Sequence, residues 1–123
     1  MIEGTVNAAY EAALILSVHG PEGRTREIEA VVDTGYDGFL TLPAVLVGEL
    51  DLPFVTSGEA TLADGSAVSF DIHMVTVDWD GHARHVEADA AETTPLVGMR
   101  LLDGHRLYVE VKDGGRVVIE TTE

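Results

Sequence analysis

The amino-acid sequence predicts an all-β domain, a barrel or sandwich built from short strands. Apolar and polar side chains alternate with a period of two in several segments, which is the spacing of a strand. Turns containing glycine recur about every ten residues, as in barrels and sandwiches. No long helical segment of a nucleotide-binding α/β fold is present. Because the chain has 123 residues and no linker or low-complexity tract, we interpret residues 1–123 as a single domain.

The first half of the chain contains three predicted strands and one short helix. Leu14, Leu16 and Val18 share one face, because side chains alternate between the two faces of a strand. Pro43 begins a predicted helical segment that reaches Leu50, since proline suits the first turn of a helix. The predicted strands cover residues 14–18, 28–32 and 39–42, with turns at 19–23 and 33–38.

The second half of the chain is dominated by predicted hairpins. Asp64-Gly65 lies between two strand-like segments and is a strong hairpin signal. Asp80-Gly81 predicts a further turn of the same kind. Residues 98–103 can hold one helical turn between glycines. The predicted strands cover residues 55–62, 67–79, 82–90, 105–112 and 116–120, and the last two are joined by a turn at 113–115.

The composition excludes several classes of partner. The formal net charge is -15, with 22 acidic residues against 7 basic ones. Nucleic acids and anionic membranes are therefore not expected as partners, because both are bound by clustered Lys and Arg. The charge itself has two interpretations. It can serve solubility or adaptation to a salty cytoplasm, or it can attract basic peptides to an acidic cleft.

The sequence also predicts a cytoplasmic location. The chain has no cysteine, so disulfides, thiol nucleophiles and thiolate zinc sites are excluded, and a reducing compartment is suitable. Residues 1–5 lack the basic and apolar regions of a signal peptide. The longest apolar run, residues 12–16, is too short to span a bilayer.

The tripeptide Asp33-Thr34-Gly35 is the main candidate for chemistry. It follows an apolar strand end and precedes a second apolar strand. An Asp that emerges from a buried strand costs free energy unless the turn satisfies its carboxylate. One interpretation is a turn in which the carboxylate caps its own backbone. The other is a catalytic carboxylate, and the tripeptide alone does not decide between them.

A second motif favours the catalytic interpretation. Leu96-Val97-Gly98 precedes a short helix further along the chain, and the Asp64-Gly65 hairpin lies between the two motifs. Residues 33–43 read Asp-Thr-Gly, two variable residues, Gly and an apolar-Thr-Leu-Pro run. This combination resembles the retropepsin-like aspartic protease family, and most of all its stand-alone bacterial and archaeal members. The resemblance covers residues 8–120.

The resemblance implies a fold, an activity and a set of site residues. The fold would be an acid protease barrel with a flap hairpin over residues 60–70 and one short helix near the C-terminus. The activity would be that of an aspartic-type endopeptidase. Asp33 would be the catalytic carboxylate, Thr34 would hydrogen-bond across a dimer axis, and Gly35 would let backbones approach closely. The implied substrate-binding residues are Tyr36, Asp37, Ala63, Asp64, Gly65 and Ser66.

The implied chemistry needs two copies of the chain. Aspartic proteolysis uses two carboxylates that share one proton around a water molecule. This sequence has one Asp-Thr-Gly, so we expect a C2 homodimer that brings two Asp33 side chains together and acts on a peptide or protein substrate without a cofactor. We also expect the dimer to cover apolar surface around Phe39, Leu40 and Leu96.

Two departures from the retroviral pattern keep an alternative open. Tyr36 stands where the retroviral enzymes have a small residue, and the tip of the predicted flap is polar rather than glycine-rich. The alternative is a catalytically weak or inactive dimeric module that binds peptides or proteins on the same fold.

Other kinds of site have weaker sequence support. His82 and His85 are three residues apart, which places them on opposite faces of a strand rather than around a zinc ion. Residues 76–87 resemble part of a calcium loop, but they begin with Thr and are flanked by strands. No Ser lies in a nucleophile elbow. We therefore expect no metal site, and we expect Trp79 to be half-buried on a sheet face.

Overall fold

Ten β-strands and two short α-helices make up the computed structural model, which describes residues 1–123. Neither helix is long and apolar enough to cross a membrane. The elements are β1 (Ile2–Val6), β2 (Ala12–His19), β3 (Thr25–Val32), β4 (Leu40–Leu42), α1 (Ala44–Glu49), β5 (Phe54–Thr61), β6 (Ala67–Trp79), β7 (His82–Ala90), β8 (Leu96–Val97), α2 (Met99–Leu102), β9 (His105–Val109) and β10 (Arg116–Thr121).

Six of the strands close into a barrel. Their order is β6-β7-β4-β8-β3-β2, and β2 pairs back onto β6 through Val18 opposite Val77 and His19 opposite Thr76. β5 extends the sheet beyond β6, and β1, β10 and β9 extend it beyond β2. The pairings are antiparallel except for β3 with β8 and β4 with β7. The predicted all-β barrel with a flap hairpin and a short helix near the C-terminus is confirmed.

The core is one cluster of 20 buried residues, to which the barrel strands, β1, β10 and both helices contribute. The period-two pattern of β2 is reproduced, because Leu14 is fully buried while Ile15 is 57% exposed. Two exposures were predicted wrongly. Trp79 is 2% exposed, not half-buried, and its ring packs edge-on against His105 with the centroids 5.8 Å apart. Leu40 is fully buried in the chain's own core, so it offers no apolar surface for a dimer to cover.

Both predicted Asp-Gly hairpins are present. Asp80 and Gly81 have φ values of 52° and 81°, and Trp79 pairs directly with His82, which is the geometry of a two-residue type I′ turn. At the flap, Gly65 has a φ of 86° and its N–H donates to the Leu62 carbonyl at 2.9 Å. Glycine adopts this left-handed conformation without steric cost.

The structure also contains elements that the sequence pattern did not predict. β1 has apolar residues only at its ends, so alternation is hard to detect, and its register comes from distant partners such as Ile119 opposite Ile2. β3 begins at Thr25, earlier than predicted, because its polar first residues pair with β2. β9 ends at Val109, earlier than predicted, and residues 21–23 form a single 3-10 turn.

Candidate active site

The Asp33 loop, residues 33–38, begins where β3 ends and leads towards β4. In the sheet, β8 lies between β3 and β4, parallel to the first and antiparallel to the second. The backbone N–H of Asp33 donates to the Val97 carbonyl at 2.9 Å, which continues the β3–β8 ladder by one residue. The loop therefore leaves the barrel at a point where β3 and β8 fix its first residue.

The start of α2 holds the rest of the Asp33 loop. The Gly98 N–H donates to the Phe39 carbonyl at 3.0 Å, and the Met99 N–H donates to the Tyr36 carbonyl at 2.8 Å. A Cβ atom at position 98 would lie 2.1 Å from the Gly38 carbonyl oxygen, so only glycine allows this approach. The Asp33 loop is thus supported by backbone hydrogen bonds around a close contact with Gly98.

Asp33 is a partly buried residue, and its carboxylate is oriented by its own turn. Its Oδ1 accepts a hydrogen bond from the Gly35 N–H at 2.9 Å, and its carbonyl accepts one from the Tyr36 N–H at 3.2 Å. The second carboxylate oxygen has no hydrogen-bond partner in the chain. The capping turn and an available carboxylate oxygen therefore occur together, so the turn does not exclude a chemical role.

A cleft of about 980 Å³ separates the Asp33 loop from the flap hairpin. Gly35, Tyr36 and Asp37 contribute to its lining, whereas Asp33 and Thr34 lie outside it. The remaining lining residues come from the two flap strands, from the segment around the end of β7, and from β4 and α1: Glu59, Ala60, Thr61, Leu62, Val68, Ser69, Phe70, Asp89, Ala90, Ala91, Glu92, Thr41 and Ala44. The sequence interpretation included residues 60–70 as the flap, but it did not include Glu59, Thr41, Ala44 or residues 89–92.

The predicted substrate contacts at the flap tip lie beyond the cleft lining. Ala63, Asp64, Gly65 and Ser66 are all exposed. Asp64 Oδ1 accepts hydrogen bonds from the Ser66 hydroxyl at 2.6 Å and from its N–H at 2.9 Å. These bonds hold the pKa of the Asp64 carboxyl below its usual value. The tip is thus a small structured turn, and the strands below it supply the cleft walls.

Thr34 is exposed and lies in a different depression, of about 420 Å³. This depression is lined by the start and end of α2 and by β9, including Met99, Leu102, His105 and Leu107. The Asp33 loop therefore contributes to two separate concave surfaces, one through Thr34 and one through the residues that follow it.

Tyr36 forms a fixed link to Asp89 within the cleft lining. Its hydroxyl donates to Asp89 Oδ2 at 2.6 Å. Its ring rests against two glycines, because a Cβ atom at Gly38 would lie 2.4 Å from the Tyr36 hydroxyl oxygen and one at Gly98 would lie 2.7 Å from Cδ2. Burial, and then the hydrogen bond to Asp89, raise the pKa of Tyr36, so the hydroxyl stays protonated at neutral pH.

The cleft is negatively charged. Its lining contains Asp37, Glu59, Asp89 and Glu92, and no Lys, Arg or His. None of the six ion pairs in the protein involves any of these four carboxylates. The charge of the cleft is therefore not neutralised by the chain itself.

The metal-site alternatives gain no support from the geometry. No group of three or more His, Asp or Glu side chains is arranged to hold a metal ion. His85 Nδ1 lies 2.7 Å from the Thr76 hydroxyl oxygen. The acids of the calcium-like segment have other partners, since Asp78 pairs with His19 and Asp80 with the N-terminal amine.

Comparison with solved structures identifies a similar fold. The chain resembles the EIAV protease in its complex with the inhibitor HBY-793, with a TM-score of 0.61 and 16% sequence identity, over 78% of this chain and 88% of that one. No protein-family model and no curated protein matches the sequence. The barrel, the flap hairpin and this similarity together show that the chain has the retropepsin-like barrel fold.

Proposed function

We propose that the protein is an aspartic-type endopeptidase that acts as a homodimer, with Asp33 of each chain forming the catalytic pair. The observation that carries the proposal is the Asp33 carboxylate, which is oriented by Gly35 on a loop anchored to β8 and α2, in a fold similar to that of the EIAV protease. The large cleft beside this loop gives a peptide a place to bind.

The arrangement supports a specific sequence of proton transfers. Two carboxylates about 3 Å apart cannot both ionise, so a pair of Asp33 side chains shares one proton. The ionised carboxylate removes a proton from water as the water oxygen attacks the scissile carbonyl carbon, and the protonated partner donates to the carbonyl oxygen. When the C–N bond of the resulting gem-diol breaks, the nitrogen takes the proton removed from water, and a gem-diol hydroxyl returns the other proton to the pair.

The position of Asp33 supports a site shared by two chains. The cleft lining begins at Gly35, and Asp33 lies outside the lining. Thr34 beside it is exposed. A second copy related by a two-fold axis through this loop would supply the missing carboxylate and place a second cleft next to the first. One copy on its own has half of the groups that the reaction needs.

The test is hydrolysis of a diverse peptide library at pH 4 to 7, with products identified by mass spectrometry, in the presence and absence of a statine-type inhibitor. We expect cleavage that the inhibitor blocks and that the near-isosteric variant Asp33→Asn lacks. Glu87→Gln, an exposed carboxylate outside the cleft, is the matched control and should cleave normally. Peptide binding without cleavage would favour the binding module, and cleavage retained by Asp33→Asn would refute the proposed chemistry.

A further inference from the structure

We propose that Tyr36 and Asp89 form a rigid, negatively charged wall of the cleft that selects peptides carrying an unbranched basic side chain, Arg or Lys, at the position facing this wall. The inference rests on the proposed function and adds a substrate class to it. It depends on three features: the fixed position of the tyrosine ring, the free oxygen of Asp89 and the absence of any basic residue from the cleft lining.

The ring of Tyr36 is fixed on several sides. Gly38 and Gly98 lie so close to it that neither position has room for a Cβ atom, and the hydroxyl is tied to Asp89. Swinging the ring aside would break this 2.6 Å hydrogen bond to a carboxylate, which belongs to the stronger class of hydrogen bonds. The ring therefore occupies space that a bulky substrate side chain would need, and an aromatic or branched residue is disfavoured at this position.

Asp89 gives the same wall its charge. Its Oδ2 accepts the hydrogen bond from Tyr36, while its Oδ1 has no hydrogen-bond partner in the chain. No Lys, Arg or His of the chain lines the cleft, and Asp37, Glu59 and Glu92 add charge of the same sign. A guanidinium or ammonium group on a narrow methylene stem fits beside the ring and supplies the missing cation.

A general attraction of basic peptides to an acidic protein makes a different prediction. The net charge of -15 would favour a basic residue at any position of the peptide. The Tyr36–Asp89 wall favours it at one position. The preference for charge should also be separable from the preference for shape, because citrulline has nearly the shape of Arg without its charge.

The experiment uses one peptide that the dimer cleaves, with Arg, citrulline or Phe placed at each position in turn. At one position we expect kcat/KM for Arg to exceed that for citrulline by roughly three- to tenfold at low salt, with a smaller ratio at high salt. Asp89→Asn should bring this ratio close to one. Glu87→Gln lies on the same strand, removes the same charge and does not line the cleft, so it should preserve the ratio.

A second variant tests the shape of the wall. Tyr36→Ala should raise kcat/KM for the Phe peptide relative to the citrulline peptide by roughly tenfold, because it removes the ring. Equal cleavage of Arg and citrulline peptides at every position, or an equal loss of the ratio in Glu87→Gln and Asp89→Asn, would refute the inference and leave the proposed function intact. If the wild-type protein cleaves no peptide, the proposed function is wrong and the inference falls with it.

Discussion

The Asp33 loop and the flap tip, residues 62–66, are both turns that border the cleft, but they are held in different ways. The loop makes backbone hydrogen bonds to β8 and α2, and the contact with Gly98 leaves no space for a side chain. The hydrogen bonds of the tip all lie within the tip, between Leu62, Asp64, Gly65 and Ser66. A Cβ atom at Gly65 would meet open space.

The two turns are therefore suited to different tasks, one to holding a carboxylate in place and the other to admitting a peptide to the cleft. In the proposed dimer the Asp33 carboxylate has to meet a second carboxylate at short distance, which requires rigid surroundings, and the barrel provides them. A lid that admits a peptide has to move without disturbing the barrel. Displacing the flap tip breaks no hydrogen bond to the rest of the protein, so the two turns suit two different tasks.

The largest expected effect comes from removing the carboxylate of the rigid turn. Asp33→Asn should lose all measurable proteolysis, because an amide cannot take a proton from water, and it should still fold and pair, because Asn is nearly isosteric. If every site draws one carboxylate from each chain, heterodimers are inactive too. An equimolar mixture with wild-type chains should then keep about one quarter of the activity of an all-wild-type pool under random pairing.

The mixing experiment can also contradict the shared site. Activity that falls only to one half would mean that each chain works alone. Sedimentation of the wild type and of Asp33→Asn at the assay concentration is the control. A residual activity of one quarter is expected only if the chains are paired and exchange freely between dimers.

Replacing one glycine at each turn by alanine compares how tightly the two turns are packed. Gly98→Ala would place a Cβ atom 2.1 Å from a backbone oxygen, and we expect a loss of about 2–4 kcal/mol in the free energy of unfolding. Gly65→Ala meets no atom, and only its φ of 86° opposes it, at a cost of about 1–2 kcal/mol. Urea unfolding of both variants gives the comparison. Equal losses would show that the Asp33 loop relaxes freely around position 98.

Local signals in the sequence predicted most of the fold because they depend on near neighbours. The period-two pattern of β2 and the Asp-Gly turns arise within a few residues, so they can be recognised without the structure. β1 escaped detection because its pairing with β10 joins opposite ends of the chain. Trp79 was predicted too exposed, because strand alternation does not show how completely a closed barrel covers its inner face.

The candidate site was predictable in part for the same reason. Asp33 and Gly98 each belong to a compact motif, and the structure brings the two motifs together. The catalytic role of Asp33 and the roles of Thr34 and Gly35 stay predictions. The link between Tyr36 and Asp89 spans 53 positions, and no local pattern connects them. The sequence marked Tyr36 only as unusually large, and the partner that fixes its ring is visible only in the folded barrel.

The link between Tyr36 and Asp89 should make the stability of the protein depend on pH in the alkaline range. Burial and the hydrogen bond to Asp89 raise the pKa of Tyr36 in the folded state above the usual value of about 10. Between the unfolded and folded pKa values the folded state binds more protons, so stability is fully present below about pH 10 and is lost as the pH rises further. Urea unfolding from pH 8 to 11 should show this decline in the wild type, and Tyr36→Phe should lack this part of it. Identical pH profiles for the two proteins would mean that the hydroxyl is not held as the structure shows.

The smallest effect is expected at the flap tip, where Ser66→Ala removes one of the two donors to Asp64. The pKa of Asp64 is lowered first by the Ser66 hydroxyl and then by the Ser66 N–H, so the variant should raise it part of the way back to the usual value. A lowered pKa contributes stability above the unfolded value of about 3.9 that is lost as the pH falls below it, so any change in stability belongs to the acidic range. Carboxyl NMR titration measures the shift directly.

Because the tip has no hydrogen bonds to the barrel, the amide signals of the Asp33 loop should stay in place in Ser66→Ala, and the melting temperature at neutral pH should change far less than in Gly98→Ala. Movement of those loop signals would show that the flap tip and the Asp33 loop are coupled. The flap tip would then not be independent of the rigid Asp33 loop.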